Sequence, residues 1–430
     1  MLRSIYSGVQ PDYSATGVKV VKIGAMKNGY FDWSEAQYVD DEFYMDNLRR
    51  AGVRKGDILV SSTGVGSLGK VDLWETDELA LATVDVNIVR IAEGRADPAF
   101  LVHLLRHRLV QWQIEQELAG ATNQIHIYGD QLARLRLPHF CKDAYARLAR
   151  KIAEAAKRLS DTRAILRLPG DIINEALCAE FGYPLKAHQE RSRLHQFSAS
   201  LSKMAAGFTL RNSNRYHHPD FDLIEAFFAR QKHERVKAFV AIPIRLGSTA
   251  EKGDFVEAGA AYYVHPGATK RQEVISLEDC HQVSEEFYKD RSRRCGLQRL
   301  DVTINRSGEA VGKVAYYNSD EPAVFSDFTM RLRFNARMNP LFAWLYFRSV
   351  MFQAQLFREI KGASLPNIFP RQVERLLVVS CDRPRQDSLV KAIMGDLKKQ
   401  ADAKQKLYDK INEIQVAIES EVLARMQKSW

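Results

Sequence analysis

Residues 64–70 read Gly64-Val65-Gly66-Ser67-Leu68-Gly69-Lys70. The stretch satisfies G-x-G-x-x-G, the fingerprint of a dinucleotide-binding turn. It also satisfies all but the last position of the phosphate loop G-x-x-x-x-G-K-[ST], because Val71 stands where the hydroxyl belongs. Such glycines let backbone N–H groups close on a phosphate, and a helix must follow so that its N-terminus faces the charge. The residues that follow here, Lys70-Val71-Asp72-Leu73-Trp74, predict a strand instead. The pattern is therefore read as a glycine-rich β-turn.

A second motif needs the same treatment. Asp97-Pro98-Ala99-Phe100 and Asn339-Pro340-Leu341-Phe342 approach the [DN]-P-P-[FYW] motif of amino-methyltransferases, but both lack its second proline. Each precedes an amphipathic stretch, where Asp or Asn caps a helix and proline occupies its first turn. The five cysteines (Cys141, Cys178, Cys280, Cys295, Cys381) form no C-x-x-C pair, which argues against a zinc site and a disulfide framework. His217-His218 has no partnering ligands at useful spacing. No nucleophile–base set and no carboxylate pair with metal spacing emerges.

The chain has 430 residues with a net charge of +9, enough for two or three domains and compatible with a polyanionic partner. The charge is uneven: residues 1–140 carry 15 basic against 18 acidic residues. If DNA is the partner, that part must gather its cations on one face. No signal peptide and no apolar run of membrane-spanning length is read, so the expected location is the cytoplasm.

The chain repeats itself. "DDEFYMDNLRRAGVRKGDILVSSTGVGSLGKVDLW" at 40–74 matches "SEEFYKDRSRRCGLQRLDVTINRSGEAVGKVAYY" at 284–317. "TVDVNIVRI" answers "FSDFTMRLRF", and "DPAFLVHLLRHRLVQWQIEQELAGATNQIHI" answers "NPLFAWLYFRSVMFQAQLFREIKGASLPNIF". Long-period self-similarity of this kind is a duplicated domain. Each copy runs into a helical segment. Tyr145, Leu148, Ile152, Ala155, Leu159, Thr162 and Leu166 alternate by three and four, as do Val390, Ile393, Leu397, Gln400, Lys404, Leu407, Ile411, Ile414 and Ile418. Such thin apolar seams predict an antiparallel intramolecular pair of helices, with Gln400 and Lys404 weakening the seam. Leu168-Pro169-Gly170 interrupts the first helix. Within residues 181–235, "FGYPLKAHQERSRLHQFSASLSKMAAGF" reads as a polar connector and "TLRNSNRYHHPDF" begins a second globular unit, while the sequence between 236 and 283 matches little that can be placed.

A mixed unit given twice, each copy followed by a seam-bearing helix, resembles the specificity subunit of type I restriction–modification systems. The segments that carry the resemblance are "GVKVVKIGAMKNGYFDWSEAQYV", "GDILVSSTGVGSLGKV", "NQIHIYGDQLARLRLP", "PNIFPRQVERLLVV" and "LRNSNRYHHPDFD", and their order covers nearly the whole chain. The resemblance implies an α+β fold: two homologous target recognition domains in a pseudo-two-fold arrangement, separated by an antiparallel pair of long helices. The expected division is a first recognition domain at 1–140, a helical spacer and connector at 141–204, a second recognition domain at 205–385 and a C-terminal helix at 386–430. Each domain would read half of a split duplex DNA site, and the helices would set the spacing and dock two methyltransferase subunits. The chain itself would be non-catalytic, bind no metal and no cofactor, and touch no membrane. S-adenosylmethionine, ATP and Mg would sit on partner subunits, restriction or translocase subunits among them.

Affinity in such a reader comes from Lys and Arg at phosphates, and specificity from side chains at base edges. The candidates in the first copy are Lys22, Lys27, Asn28 and Tyr30, then Ser61, Ser62, Thr63 and Lys70, then Asn123, Gln124 and His126. In the second copy they are Lys270, Arg271 and Gln272, then Arg291, Arg293 and Arg294, then Asn305, Arg306, Ser307 and Lys313, and finally Ser364 and Asn367. Two other readings stay open: an enzyme with a cryptic nucleotide or S-adenosylmethionine site, and a coiled-coil scaffold that reads no DNA.

Overall fold

Val86–Ile91, Ile58–Ser61 and Val71–Leu73 are short, β-branched and largely buried, the composition of strands covered on both faces. In a computed structural model they pair antiparallel with one another, and Leu2–Ser7 adds the fourth strand, in the order Leu2–Ser7, Val86–Ile91, Ile58–Ser61, Val71–Leu73. The residues described are 2–14, 16–33, 36–64, 66–117, 126–192, 197–198, 200–205, 215–269, 272–308, 310–362 and 365–428. The chain forms two units, Met1–Leu168 with Lys398–Trp430, and Pro169–Leu397.

The second unit repeats this sheet strand for strand: Arg245–Leu246, Thr329–Leu332, Val302–Asn305, Val314–Tyr316. A second sheet is duplicated too. Val18–Val21 runs parallel to Ala80–Ala82 and antiparallel to Gln37–Val39, and Ala261–Val264 runs parallel to Ala323–Phe325 and antiparallel to His281–Val283. Residues 236–283, unplaced by sequence, are thus the counterpart of the opening strands of the first unit. Their backbone repeats the pairing although their side chains do not match.

The helices between strands also recur. Asp40 caps Asp41–Ala51 by accepting the Phe43 N–H at 2.7 Å, and Ser284 caps Glu285–Cys295 by accepting the Phe287 N–H at 3.2 Å. Asp97 and Asn339 cap Pro98–Leu105 and Pro340–Arg348, accepting the N–H groups of Ala99 at 2.9 Å and Leu341 at 2.8 Å. These are the two residues that open the methyltransferase-like tetrapeptides.

The first seam helix is Lys142–Ala164, and Pro169–Phe181 restarts the chain as a separate helix in the second unit. The C-terminal helix, Arg383–Lys428, is continuous; residues up to Leu397 belong to the second unit and those from Lys398 to the first. Within the first unit, Leu148, Ile152, Ala155 and Leu159 share a buried cluster with Leu407, Ile411, Ile414 and Ile418. Arg147 binds Glu421 at 2.8 Å, and the Arg167 N–H donates to Gln400 Oε1 at 2.8 Å, so the two helices run antiparallel. Gln400 thus holds the backbone just beyond the partner helix as well as weakening the seam. Each Leu or Ile buried here contributes about 1.5–3 kcal/mol. Val390, Ile393 and Leu397 pack instead in the core of the second unit. Tyr145 is exposed and stacks on Phe100 with ring centres 4.6 Å apart.

Candidate nucleic-acid interface

The glycine-rich stretch is a turn between two paired strands. Gly69 N–H donates to Ser61 O at 3.0 Å and Ser61 N–H to Lys70 O at 2.9 Å. In the second unit Gly312 N–H donates to Asn305 O at 2.8 Å and Asn305 N–H to Lys313 O at 2.9 Å. Gln111 Nε2 holds Gly69 O at 3.0 Å, and Gln353 Nε2 holds Gly312 O at 3.0 Å. Gly69 and Gly312 have φ of 75° and 81°, a region that glycine enters without strain. Strands Val71–Leu73 and Val314–Tyr316 follow directly, where a nucleotide loop requires a helix.

A second segment closes on each turn. Thr63 bridges His126 and Ser307 bridges Asn367. Ile127 N–H donates to Ser62 O at 2.9 Å, and Ile368 N–H to Arg306 O at 2.9 Å. The fold thereby brings together, twice, two candidate groups that lie about sixty residues apart in sequence. Beside this junction stand two aromatic rings that the sequence reading missed. Tyr128 and Phe369 occupy the same place in the two units and are 55% and 43% exposed, unusual for rings of that size. Tyr128 stacks against His126 with centroids 6.1 Å apart, and the Arg306 guanidinium lies 5.4 Å from the Phe369 ring. The alignment of "HIYGDQ" with "NIFPRQ" held this signal.

Several candidates work inside the fold instead. Ser61 and Asn305 are wholly buried. The Ser61 hydroxyl donates to Ser67 O and accepts the Lys70 N–H at 2.9 Å, while Asn305 Oδ1 accepts the Thr269 hydroxyl at 2.7 Å. Ser62 and Ser307 are also buried. Asn28, with φ of 55°, accepts the Val71 N–H at 2.8 Å and donates its own N–H to Asp72 at 3.0 Å. Tyr30 packs on the C-terminal helix: its ring centre is 6.3 Å from that of Tyr408 and 5.5 Å from Lys404 Nζ. These side chains leave the set expected to face DNA, because short polar residues near glycine first satisfy the turn.

Lys22 donates to Gln37 Oε1 at 2.9 Å. Lys70 Nζ lies 3.3 Å from Ser67 Oγ, and partial burial, with Lys27 beside it, holds its ammonium below the usual lysine range against the pull of Asp72. Two cations thus crowd one turn. In the second unit, Asn305 Nδ2, Arg306 Nε and Ser307 Oγ are buried without a hydrogen-bond partner among the described residues. Gln272 has φ of 59°, and its carbonyl accepts the Trp344 indole N–H at 3.1 Å. Arg291 pairs with Asp290 at 3.0 Å. Arg293 and Arg294 occupy the last turn of Glu285–Cys295, as Arg49 and Arg50 do in Asp41–Ala51, where cations offset the helix dipole. Lys313 is half-buried, and Asn367 Nδ2 donates to Leu365 O at 2.7 Å. Asn123, Gln124, Lys270, Arg271 and Ser364 lie outside the described residues. No group of three His, Cys, Asp or Glu side chains that would hold a metal occurs among the described residues, and no helix among them is long and apolar enough to cross a membrane.

The chain is thus a duplicated α+β protein with one loop junction built twice. Three solved structures are similar to it. The S subunit of a type I restriction–modification system from M. genitalium is 14% identical over 98% of this chain and 93% of that chain, with a TM-score of 0.40. A chain from the complex assembly and conformational transition of the type I R-M system is 12% identical over 97% and 95%, with a TM-score of 0.37. The HsdS subunit from Thermoanaerobacter tengcongensis is 12% identical over 97% and 94%, with a TM-score of 0.34. No family model and no curated protein matches the chain.

Proposed function

We propose that this chain is the non-catalytic specificity subunit of a type I restriction–modification complex. Each unit reads one half of a bipartite duplex site. The helices Lys142–Ala164 and Arg383–Lys428 set the interval between half-sites and dock two methyltransferase subunits. S-adenosylmethionine, ATP and Mg belong to partner subunits, and the complex works in the cytoplasm.

One observation carries this reading. The same hydrogen-bonded turn is built twice with different chemistry at its tip, "SSTGVGSLGK" against "NRSGEAVGK". A constant frame with exchanged side chains suits two unlike half-sites. Lys27 and Lys70 supply charge for phosphates at the first turn, and Arg306 supplies a guanidinium at the second. Tyr128 and Phe369 add exposed apolar surface of the kind that meets a thymine methyl.

Selection from a random duplex library by the chain in complex with its methyltransferase tests the reading. Enrichment of two short motifs at a fixed separation is the expected result. Recovery of no motif, or saturable binding of S-adenosylmethionine or ATP by the chain alone, would sink it.

A further inference from the structure

A short turn flanks the glycine-rich junction in each unit. Residues 83–86 join Ala80–Ala82 to Val86–Ile91, and residues 326–329 join Ala323–Phe325 to Thr329–Leu332. Val86 N–H closes the first turn on Thr83 O at 2.9 Å, and Thr329 N–H closes the second on Ser326 O at 2.9 Å. Each turn is tied to the junction through one residue. Ser62 N–H donates to Asp85 O at 2.8 Å, and Arg306 N–H donates to Phe328 O at 2.8 Å.

Asp85 and Phe328 therefore hold one backbone seat with opposite chemistry. On their other side, Ser62 and Arg306 accept the Ile127 and Ile368 N–H groups at 2.9 Å. Three segments thus run side by side in each unit, with Asp85 or Phe328 on one flank and Tyr128 or Phe369 next in the chain on the other. Asp327, which precedes Phe328, has its carboxylate engaged by the Ser326 hydroxyl at 3.3 Å. Val84, which precedes Asp85, is exposed and carries no polar group.

Phe328 is 44% exposed, and its N–H is held by Ser326 Oγ at 3.1 Å, so a bare ring stands on a fixed backbone. Asp85 is half-buried, and its carboxylate receives no hydrogen bond from any described residue. Burial and then the Asp85 charge raise the nearby Tyr13 phenol, and Lys22 Nζ lies 5.5 Å from the Tyr13 ring. A carboxylate facing a duplex is repelled by the phosphates, so it is tolerated there only where a base donor meets it. The major-groove donors are cytosine N4 and adenine N6. Adenine sets its N7 acceptor beside N6, where it opposes the second carboxylate oxygen, and cytosine does not. A phenyl ring offers neither donor nor acceptor and matches the thymine methyl.

We propose that Asp85 and Phe328 are specificity-determining residues of the two units: Asp85 accepts a hydrogen bond from a cytosine amino group in one half-site, and Phe328 packs on a thymine methyl in the other. This assignment rests on the DNA-reading function proposed above. Asp85 also acts against other sequences, because at a base without a suitable donor its charge stays unmatched among phosphates.

Selection from random duplexes by the chain in complex with its methyltransferase is run for wild type, Asp85→Asn and Phe328→Ala. Wild type is expected to require a cytosine in one half-site and a thymine in the other. Asparagine pairs with adenine N6 and N7, so Asp85→Asn moves that one position from cytosine to adenine and tightens binding to a scrambled duplex. Phe328→Ala relaxes the thymine alone. Two base analogues test the same contacts on the wild-type complex, so the proposal stays testable if a variant fails to fold. Uracil in place of the thymine deletes only the methyl and weakens binding about fourfold. 2-Pyrimidinone in place of the cytosine deletes only the amino group and weakens binding roughly tenfold or more. Unchanged selection by a folded Asp85→Asn, or equal wild-type affinity for the natural and substituted duplexes, overturns the assignment and leaves the DNA-reading function standing. Recovery of no motif by wild type overturns both.

Discussion

Arg333 grips Asp301 with two parallel hydrogen bonds, Nε to Oδ1 at 2.8 Å and Nη2 to Oδ2 at 2.6 Å. Arg90 grips Asp57 in the same way, at 2.7 and 2.5 Å. Each aspartate also accepts a backbone N–H three residues earlier, from Gln298 at 2.7 Å and from Arg54 at 2.8 Å. The pair ties the start of a central strand to its neighbour in both units. A planar guanidinium facing a carboxylate fixes orientation as well as distance, which a lysine would not do.

Asp301 is almost wholly buried and Arg333 is one quarter exposed. Removing one partner leaves the other charge without its match, at a cost of about 3 kcal/mol. Asp301→Asn is expected to lower the stability of the second unit by that amount, while Arg333→Lys keeps the charge but not the two-pronged geometry and costs a smaller part of it. Urea unfolding of the three proteins checks this; equal midpoints for wild type and Asp301→Asn would reduce the pair to a surface contact.

Gly69 gives a second measurable point. Its φ is 75°, and a Cβ there would meet Gln111 Oε1 at 2.7 Å. Gly69→Ala therefore strains the backbone and pushes aside the glutamine that holds the turn, for a loss of about 1–2 kcal/mol. Gly64 also has positive φ, but a Cβ there meets only Ser67 Cβ at 3.6 Å, so Gly64→Ala costs backbone strain alone. Thermal melts of the two variants, side by side, separate the two contributions.

The repeat, the turn and the antiparallel seam were legible because each rests on local pattern: matched glycines, capping residues and an apolar three–four alternation. Two things were not. Side-chain direction inside a turn depends on tertiary hydrogen bonding, so Ser61 and Asn305 looked exposed in sequence and are buried in the fold. Tyr30 looked like a hairpin tip free to meet DNA, yet Gly29 beside it leaves no room for a Cβ against Ile411 and Leu407, and the whole tip docks on the C-terminal helix. Residues 236–283 were opaque for a different reason. Strand pairing is a backbone property, and side chains there diverged while the ladder persisted.

His103 carries a pH prediction. It sits on Pro98–Leu105 at the cleft with Ile152, Leu159 and Arg163, and its Nδ1 is buried without a partner among the described residues. Burial, reinforced by Arg106 and Arg163, pushes its pKa down to about 3. The unfolded chain then takes up a proton below pH 6.5 that the folded unit refuses, so this contribution to stability is complete above pH 6.5 and is lost as pH falls towards 3. The slope reaches about 1.4 kcal/mol per pH unit. Asp72 works in the opposite sense: burial raises its carboxyl to about 6, so the folded unit binds a proton early as pH falls. His103→Leu should therefore gain stability over wild type progressively from pH 6.5 to pH 4 in urea melts. A constant difference across that range would rule out His103 as the titrating group.

Lys70 and Tyr128 should divide the work of binding in a way that salt reveals. A lysine at a phosphate releases counterions, so Lys70→Gln is expected to reduce the slope of log affinity against log salt by about 0.9 and to weaken all duplexes alike. Arg306→Gln should behave the same way for the second unit. Tyr128 carries no charge and stands 55% exposed beside the Thr63–His126 bridge. Tyr128→Ala should leave the salt slope unchanged and relax base preference within one half-site only, because its counterpart Phe369 belongs to the other unit. Fluorescence titrations of each variant at several salt concentrations, against the selected site and a scrambled duplex, give both quantities. An unchanged slope for Lys70→Gln and Arg306→Gln together would move the interface away from these turns.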